Sequence, residues 1–183
     1  ARITGAVFYI KGIQKGKRAG LSRACYMIKQ GRLRPSSRYN YGDYNILFGP
    51  YGQPVKLGTW DKFPSSFSVT DLETGREIFK GDVRYEDAWK PGDWLHTEPT
   101  LIQSQPIEKA GTYRIVDKRH PWQVAYLVVV DSPYCGLSHR HHDWARDGLF
   151  SIGGIPLGKH TVHVWHPKYE PVQKEIEVTI KKD

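Results

Sequence analysis

Apolar residues along this chain come in short alternating runs broken by 18 glycines and 12 prolines, the pattern of strands and turns rather than helices. Residues 2–11 alternate around Ile3, Val7 and Tyr9 and predict a strand. Residues 12–37 read as a glycine-dotted loop with one short strand over 24–28. Residues 39–53, rich in Tyr, Gly and Asn, read as an extended arm or a folded loop. Residues 67–72 and 76–83, joined by Glu73-Thr74-Gly75, predict a β-hairpin with apolar positions at Phe67, Val69, Ile78 and Phe79. A turn is expected within 89–94 and a strand over 112–116. The near-continuous apolar run 124–130 predicts a strand buried on both faces. Further strands are expected over 149–152, 160–165 and 175–180, with a break at His166-Pro167.

These elements predict an all-β chain in three parts. Residues 1–43 supply an opening strand and an arm. Residues 44–122 hold five or six strands, enough for a small Greek-key β-sandwich. Residues 123–183 form a second lobe, which the strand over 2–11 can complete. Tyr113, just after Gly111, is placed like the buried tyrosine near a strand start in immunoglobulin-type sandwiches.

Composition narrows the function classes. With 39% hydrophobic and 13% aromatic residues, the chain is too apolar to be a disordered tail. No apolar run approaches the roughly 20 residues that cross a bilayer as a helix. The chain begins Ala1-Arg2 rather than with Met, which fits a mature exported protein and equally a trimmed chain. Export is the expectation, to a periplasmic or equivalent extracytoplasmic compartment. The two cysteines, Cys25 and Cys135, are then either a bridge closing a long loop or two small buried hydrophobes.

Charge is distributed unevenly. Residues 1–42 carry ten Lys or Arg and no acidic residue, while the remaining 17 of the 27 basic residues face 19 acidic ones. A one-signed segment on a near-neutral body suits an acidic partner, a protein surface foremost and a merely solvated face as the plainer reading. The candidate contact residues are Lys15, Lys17, Arg18, Arg23, Lys29, Arg32, Arg34, Arg38, Tyr39, Tyr41 and Tyr44. Between 10 and 38 only Tyr26 is aromatic, which argues against nucleic acid.

Two stretches resemble known families. Residues 148–166, Gly148-Leu-Phe-Ser-Ile-Gly-Gly-Ile-Pro-Leu-Gly-Lys-His-Thr-Val-His-Val-Trp-His166, are similar to the signature of transthyretin-like domains of the carboxypeptidase-regulatory type. Residues 120–134, His120-Pro-Trp-Gln-Val-Ala-Tyr-Leu-Val-Val-Val-Asp-Ser-Pro-Tyr134, resemble a run in exported proteins that join a cupredoxin-like sandwich to such a lobe. The middle block, through Phe67-Ser-Val69, Gly75-Arg-Glu-Ile78 and Gly111-Thr-Tyr-Arg-Ile115, also resembles immunoglobulin-like accessory domains of some glycosidases. Both resemblances imply β-sandwiches. The cupredoxin resemblance further implies a copper site, yet its Cys position is Asp117 and its Met position is Gln123. Its usual early His-Asn-x-His is reduced at best to His96, leaving His120. One imidazole with a carboxylate does not replace the thiolate and two imidazoles of a blue-copper centre, so the resemblance implies a scaffold without its metal.

Other chemistry is sparse. Six of the eight histidines fall between 139 and 166. His139, His141 and His142 read as loop histidines, with Arg140 set against a metal there; together with His120 they are the candidates should a metal bind. His166, before Pro167, is expected to serve the turn. No nucleophile elbow, phosphate loop or HExxH appears. Of six tryptophans, Trp122 and Trp165 are expected in the core, while Trp60, Trp89, Trp94 and Trp144 lie by turns.

The expectation is therefore a non-catalytic structural or assembly subunit without a cofactor. It would hold an acidic exported complex together, a respiratory oxidoreductase among the hosts that fit, and self-association is compatible with this. The alternatives are a small metal-binding or electron-transfer cupredoxin-like protein, and a carbohydrate-binding accessory module.

Overall fold

A computed structural model describes residues 5–13, 16, 25–29, 32–35, 45–50, 52–59, 63–84, 100–138 and 148–179. Among these residues every regular element is a strand. In chain order they are β1 (Val7–Ile10), β2 (Cys25–Lys29), β3 (Arg32–Pro35), β4 (Ile46–Pro50), β5 (Lys56–Thr59), β6 (Ser65–Asp71) and β7 (Glu77–Val83). There follow β8 (Thr100–Gln103), β9 (Gly111–Asp117), β10 (His120–Val130), β11 (Cys135–Leu137), β12 (Gly158–His166) and β13 (Tyr169–Val178). They form a central sheet ordered β4-β10-β9-β6-β7, an outer sheet β3-β2-β5-β8 and a third sheet β11-β1-β12-β13.

The central and outer sheets make a β-sandwich. Side chains alternate across a strand, so one face of each sheet meets the other. From the central sheet Phe67, Val69, Tyr113, Ile115, Ala125, Leu127 and Val129 point inward; Ile28, Leu33 and Leu57 answer from the outer sheet. The opposite face of β10 sends Val128 and Val130 to Val7 and Leu137 of the third sheet, with Tyr126 packed against Trp165. The run 124–130 is thus buried on both faces, as its sequence pattern predicts, because β10 separates two cores.

The opening strand belongs to the third sheet. β1 lies between β11 and β12, in register Tyr9↔Cys135 and Tyr9↔His163. Residues 149–152, expected as a strand, are not one. Both edges of β1 are already paired, so this segment lies over the sheet face instead, where Phe150 stacks on Phe8 with ring centroids 3.5 Å apart. The His166-Pro167 break is a tight hairpin turn: His166 pairs with Tyr169, and His166 Nδ1 accepts the Lys168 amide at 3.1 Å.

Three further expectations are corrected. The basic loop over 12–37 contains, besides the expected short strand (β2), a second one, β3, and Ile28 and Leu33 face the sandwich core. The arm over 39–53 contains β4, which runs parallel to β10 across some 80 positions of sequence. The division at 122/123 falls inside β10, so the sandwich does not end there.

The predicted hairpin is present as β6 and β7, with Gly75 at φ 70°, a left-handed conformation that glycine adopts without strain. Ile78 points away from the core and is exposed, because Phe79 takes the inward position. Asp71 caps the turn, accepting the amides of Glu73 at 2.8 Å and Thr74 at 3.4 Å. Burial pushes the Asp71 carboxyl up, but those amides and the Lys109 ammonium outweigh it and hold it below its ordinary value. Tyr113 is buried and its hydroxyl donates to the Lys109 carbonyl at 2.8 Å, a corner tying the strand to the preceding loop.

Candidate functional site

The chemistry-bearing residues that the structure brings together lie at one end of the central sheet, where β9 turns into β10. Asp117 ends β9 on its inward face and is fully buried. A buried carboxylate needs compensation, and this one has it on both oxygens. Oδ1 accepts the Ser66 amide at 2.9 Å and the Arg119 amide at 3.0 Å. Oδ2 accepts from His120 Nδ1 at 2.7 Å. One side chain thereby links β6, the β9–β10 turn and β10.

The His120 ring is flanked by Phe63, centroids 4.6 Å apart, and meets Trp122 edge-on at 5.3 Å. Trp122 was expected in the core, but it is 73% exposed. The reason is parity: Trp122 shares a face of β10 with Val124, Tyr126 and Val128, opposite the sandwich core, whereas Gln123 shares the inward face with Ala125 and Leu127. Gln123 is buried, and among the described residues neither its Oε1 nor the Ser65 hydroxyl has a hydrogen-bond partner.

These residues do not fit a thiolate copper centre. The thiolate position holds Asp117, whose oxygens are committed to two amides and an imidazole, and His120 Nδ1 is committed in return. The orphaned Gln123 oxygen is at most a weak axial donor. Among the described residues no three His, Cys, Asp or Glu side chains converge as a metal site.

The open part of the central sheet carries charge. Lys80, Arg84, Arg114 and Lys118 are exposed there with Asp82 and Glu77. Lys118 is paired to Glu77 at 2.6 Å, and Ser68 donates to the same carboxylate at 2.6 Å. These two hydrogen bonds, Lys118 foremost, hold Glu77 below its ordinary value.

The sequence-predicted contact residues are only partly placed. Lys15, Lys17, Arg18, Arg23, Arg38, Tyr39, Tyr41 and Tyr44 lie outside the described residues. Lys29 and Arg34 occupy β2 and β3, their side chains outside the description, and Arg32 opens β3 exposed. His96, His139, His141 and His142 also lie outside it, as do Trp60, Trp89, Trp94 and Trp144. Cys25 opens β2 in the outer sheet, its side chain outside the description, and Cys135 opens β11 in the third sheet, half-buried. Sequence reasoning missed Trp122 as a surface residue; Pro121 beside His120 was the available sign of an interrupted ladder.

The second polar row crosses the third sheet, where Cys135, Tyr9 and His163 lie side by side in register. Tyr9 and His163 stack at 5.3 Å. Burial, and then the Lys11 charge, hold the His163 imidazole below its ordinary value, while burial and Asp131 raise the Tyr9 phenol.

The fold defines an all-β sandwich carrying a third sheet on the back of its central one. Among solved structures it is similar over 58% of its length to a purple cupredoxin from Nitrosopumilus maritimus, covering 98% of that chain at 19% identity and TM-score 0.39. It is similar over 67% to amicyanin from Paracoccus versutus, covering 96% of that chain at 10% identity and TM-score 0.40. Neither a protein-family model nor a curated protein matches the sequence. No helix among the described residues is long and apolar enough to cross a membrane.

Proposed function

We propose that this chain is a non-catalytic assembly subunit of a larger exported complex, working through its surfaces. The observation that carries the reading is the β9–β10 end. There, where the resemblance would put a reactive centre, Asp117 and His120 satisfy each other. Beside them the Trp122 indole stands in solvent against His120, and Lys118 and Arg119 are exposed in the preceding turn. Exposed Trp is a common interface anchor, and surrounding cations supply steering toward an acidic partner. In sequence, residues 1–42 carry the same sign of charge, with ten Lys or Arg and no acidic residue. A respiratory oxidoreductase is one host with the required acidic exported surface.

The test is purification of the tagged chain from its native source at low and at high ionic strength, with and without Trp122→Ala. A defined partner that is lost in high salt and weakened by the substitution is expected. A chain that stays monomeric at low salt refutes the reading. The metal-binding alternative predicts stoichiometric copper or zinc in tag-free protein. The carbohydrate alternative predicts polysaccharide binding lost with Trp122→Ala.

A further inference from the structure

The geometry points to Asp117 and His120 as positioning residues that hold Trp122 outward as a rigid docking anchor, doing mechanically at this end of the sandwich what a bound ion would do. The inference deepens the reading above by naming the anchor and what fixes it, and it rests on that reading for the partner.

Three observations converge. Asp117 ties β6, the turn and β10 through three charge-assisted hydrogen bonds of 2.7–3.0 Å, the arrangement by which a metal would staple the same strands. The ring it orients is the one the indole touches. The β9–β10 ladder leaves residues 121–123 out of register, so pairing with β9 does not fix Trp122 and the His120 contact takes its place. An anchor ordered before binding loses less side-chain entropy on docking, which favours association. Arg119 and Lys118, exposed in the adjoining β9–β10 turn with Lys118 paired to Glu77, suit a partner pocket that is apolar at its floor and acidic at its rim.

Time-resolved fluorescence anisotropy of the Trp122 indole, isolated as the difference between the chain and Trp122→Phe, separates an anchor support from a plain staple. His120→Ala removes the ring. Asp117→Asn keeps an acceptor for the two amides but presents N–H to His120, forcing the other ring tautomer. Fast local motion of the indole should rise in both variants, more in His120→Ala. Tm should fall by roughly 10 °C in Asp117→Ala, which leaves His120 and two amides without their acceptor. Dialysis against EDTA should change neither quantity. Unchanged indole motion in a folded His120→Ala chain would overturn the positioning role. A Tm lowered by EDTA with stoichiometric release of copper or zinc would show that an ion, not the pair, closes this end. These readouts need no partner, so they stand apart from the assembly reading. A partner complex undiminished by Trp122→Ala would overturn the anchor alone.

Discussion

The basic N-terminal stretch, residues 1–42, carries part of the sandwich core, and Ile28→Ala tests this. Ile28 is 0% exposed in β2 and packs among Leu33, Leu57 and the inward residues of the central sheet. Truncating a fully buried isoleucine to alanine costs about 2–5 kcal/mol, the transfer of three carbons plus the cavity they leave. For a chain of this size each kcal/mol lowers Tm by about 2–4 °C, so the fall should lie between about 4 and 20 °C. Arg32→Ala, four positions on and exposed at the start of β3, should stay within about 0.5 kcal/mol. Thermal and urea unfolding followed by circular dichroism read both. Removal of residues 12–38 should then unfold the sandwich rather than release an appendage. A folded deletion variant, or an Ile28→Ala chain melting with the parent, would show that the segment lies outside the core.

Tyr113→Phe removes only the hydroxyl that bonds the Lys109 carbonyl and should cost about 1 kcal/mol in urea unfolding, with unchanged m-value. Asp71 is held below its ordinary value of 3.8, so its stabilising contribution is present above that pH and lost as pH falls through the lower folded value. Asp71→Asn should therefore lower Tm at neutral pH and flatten the decline measured below about pH 4. The folded state also depresses His163 below 6.5, so charging it favours unfolding and stability falls as pH drops through that region. His163→Gln should remove that part of the pH dependence, read as a Tm gap to the parent that narrows or reverses toward acid.

What was legible in the sequence was local or strongly patterned. The 67–83 hairpin announced itself through its turn, and the two-sided burial of 124–130 through an unbroken apolar run. Tyr113 was recognisable because a glycine precedes its strand. What escaped was settled by distant partners. β4 has no strong alternation of its own and exists because β10, remote in sequence, offers a parallel edge. β3 read as solvated loop because Arg32 and Arg34 alternate with its core residue Leu33, as an outer sheet allows. Residues 149–152 have the composition of a strand but lie over the sheet face, where Phe150 stacks on Phe8 of a strand paired on both edges. At the candidate site, the loss of cysteine and methionine was visible in the letters Asp117 and Gln123. That the carboxylate would serve His120, and that Trp122 would stand uncovered on its face of β10, depended on the tertiary fold.

Because β10 is a party wall, the two cores it divides share their fate. A defect on the Val129 side shifts the same backbone that seats Val128 and Val130 on the other, so a single melting step should serve both compartments. A cut or graft at residue 122 would leave one room without its wall. Descent with modification would have to keep or discard the pair together.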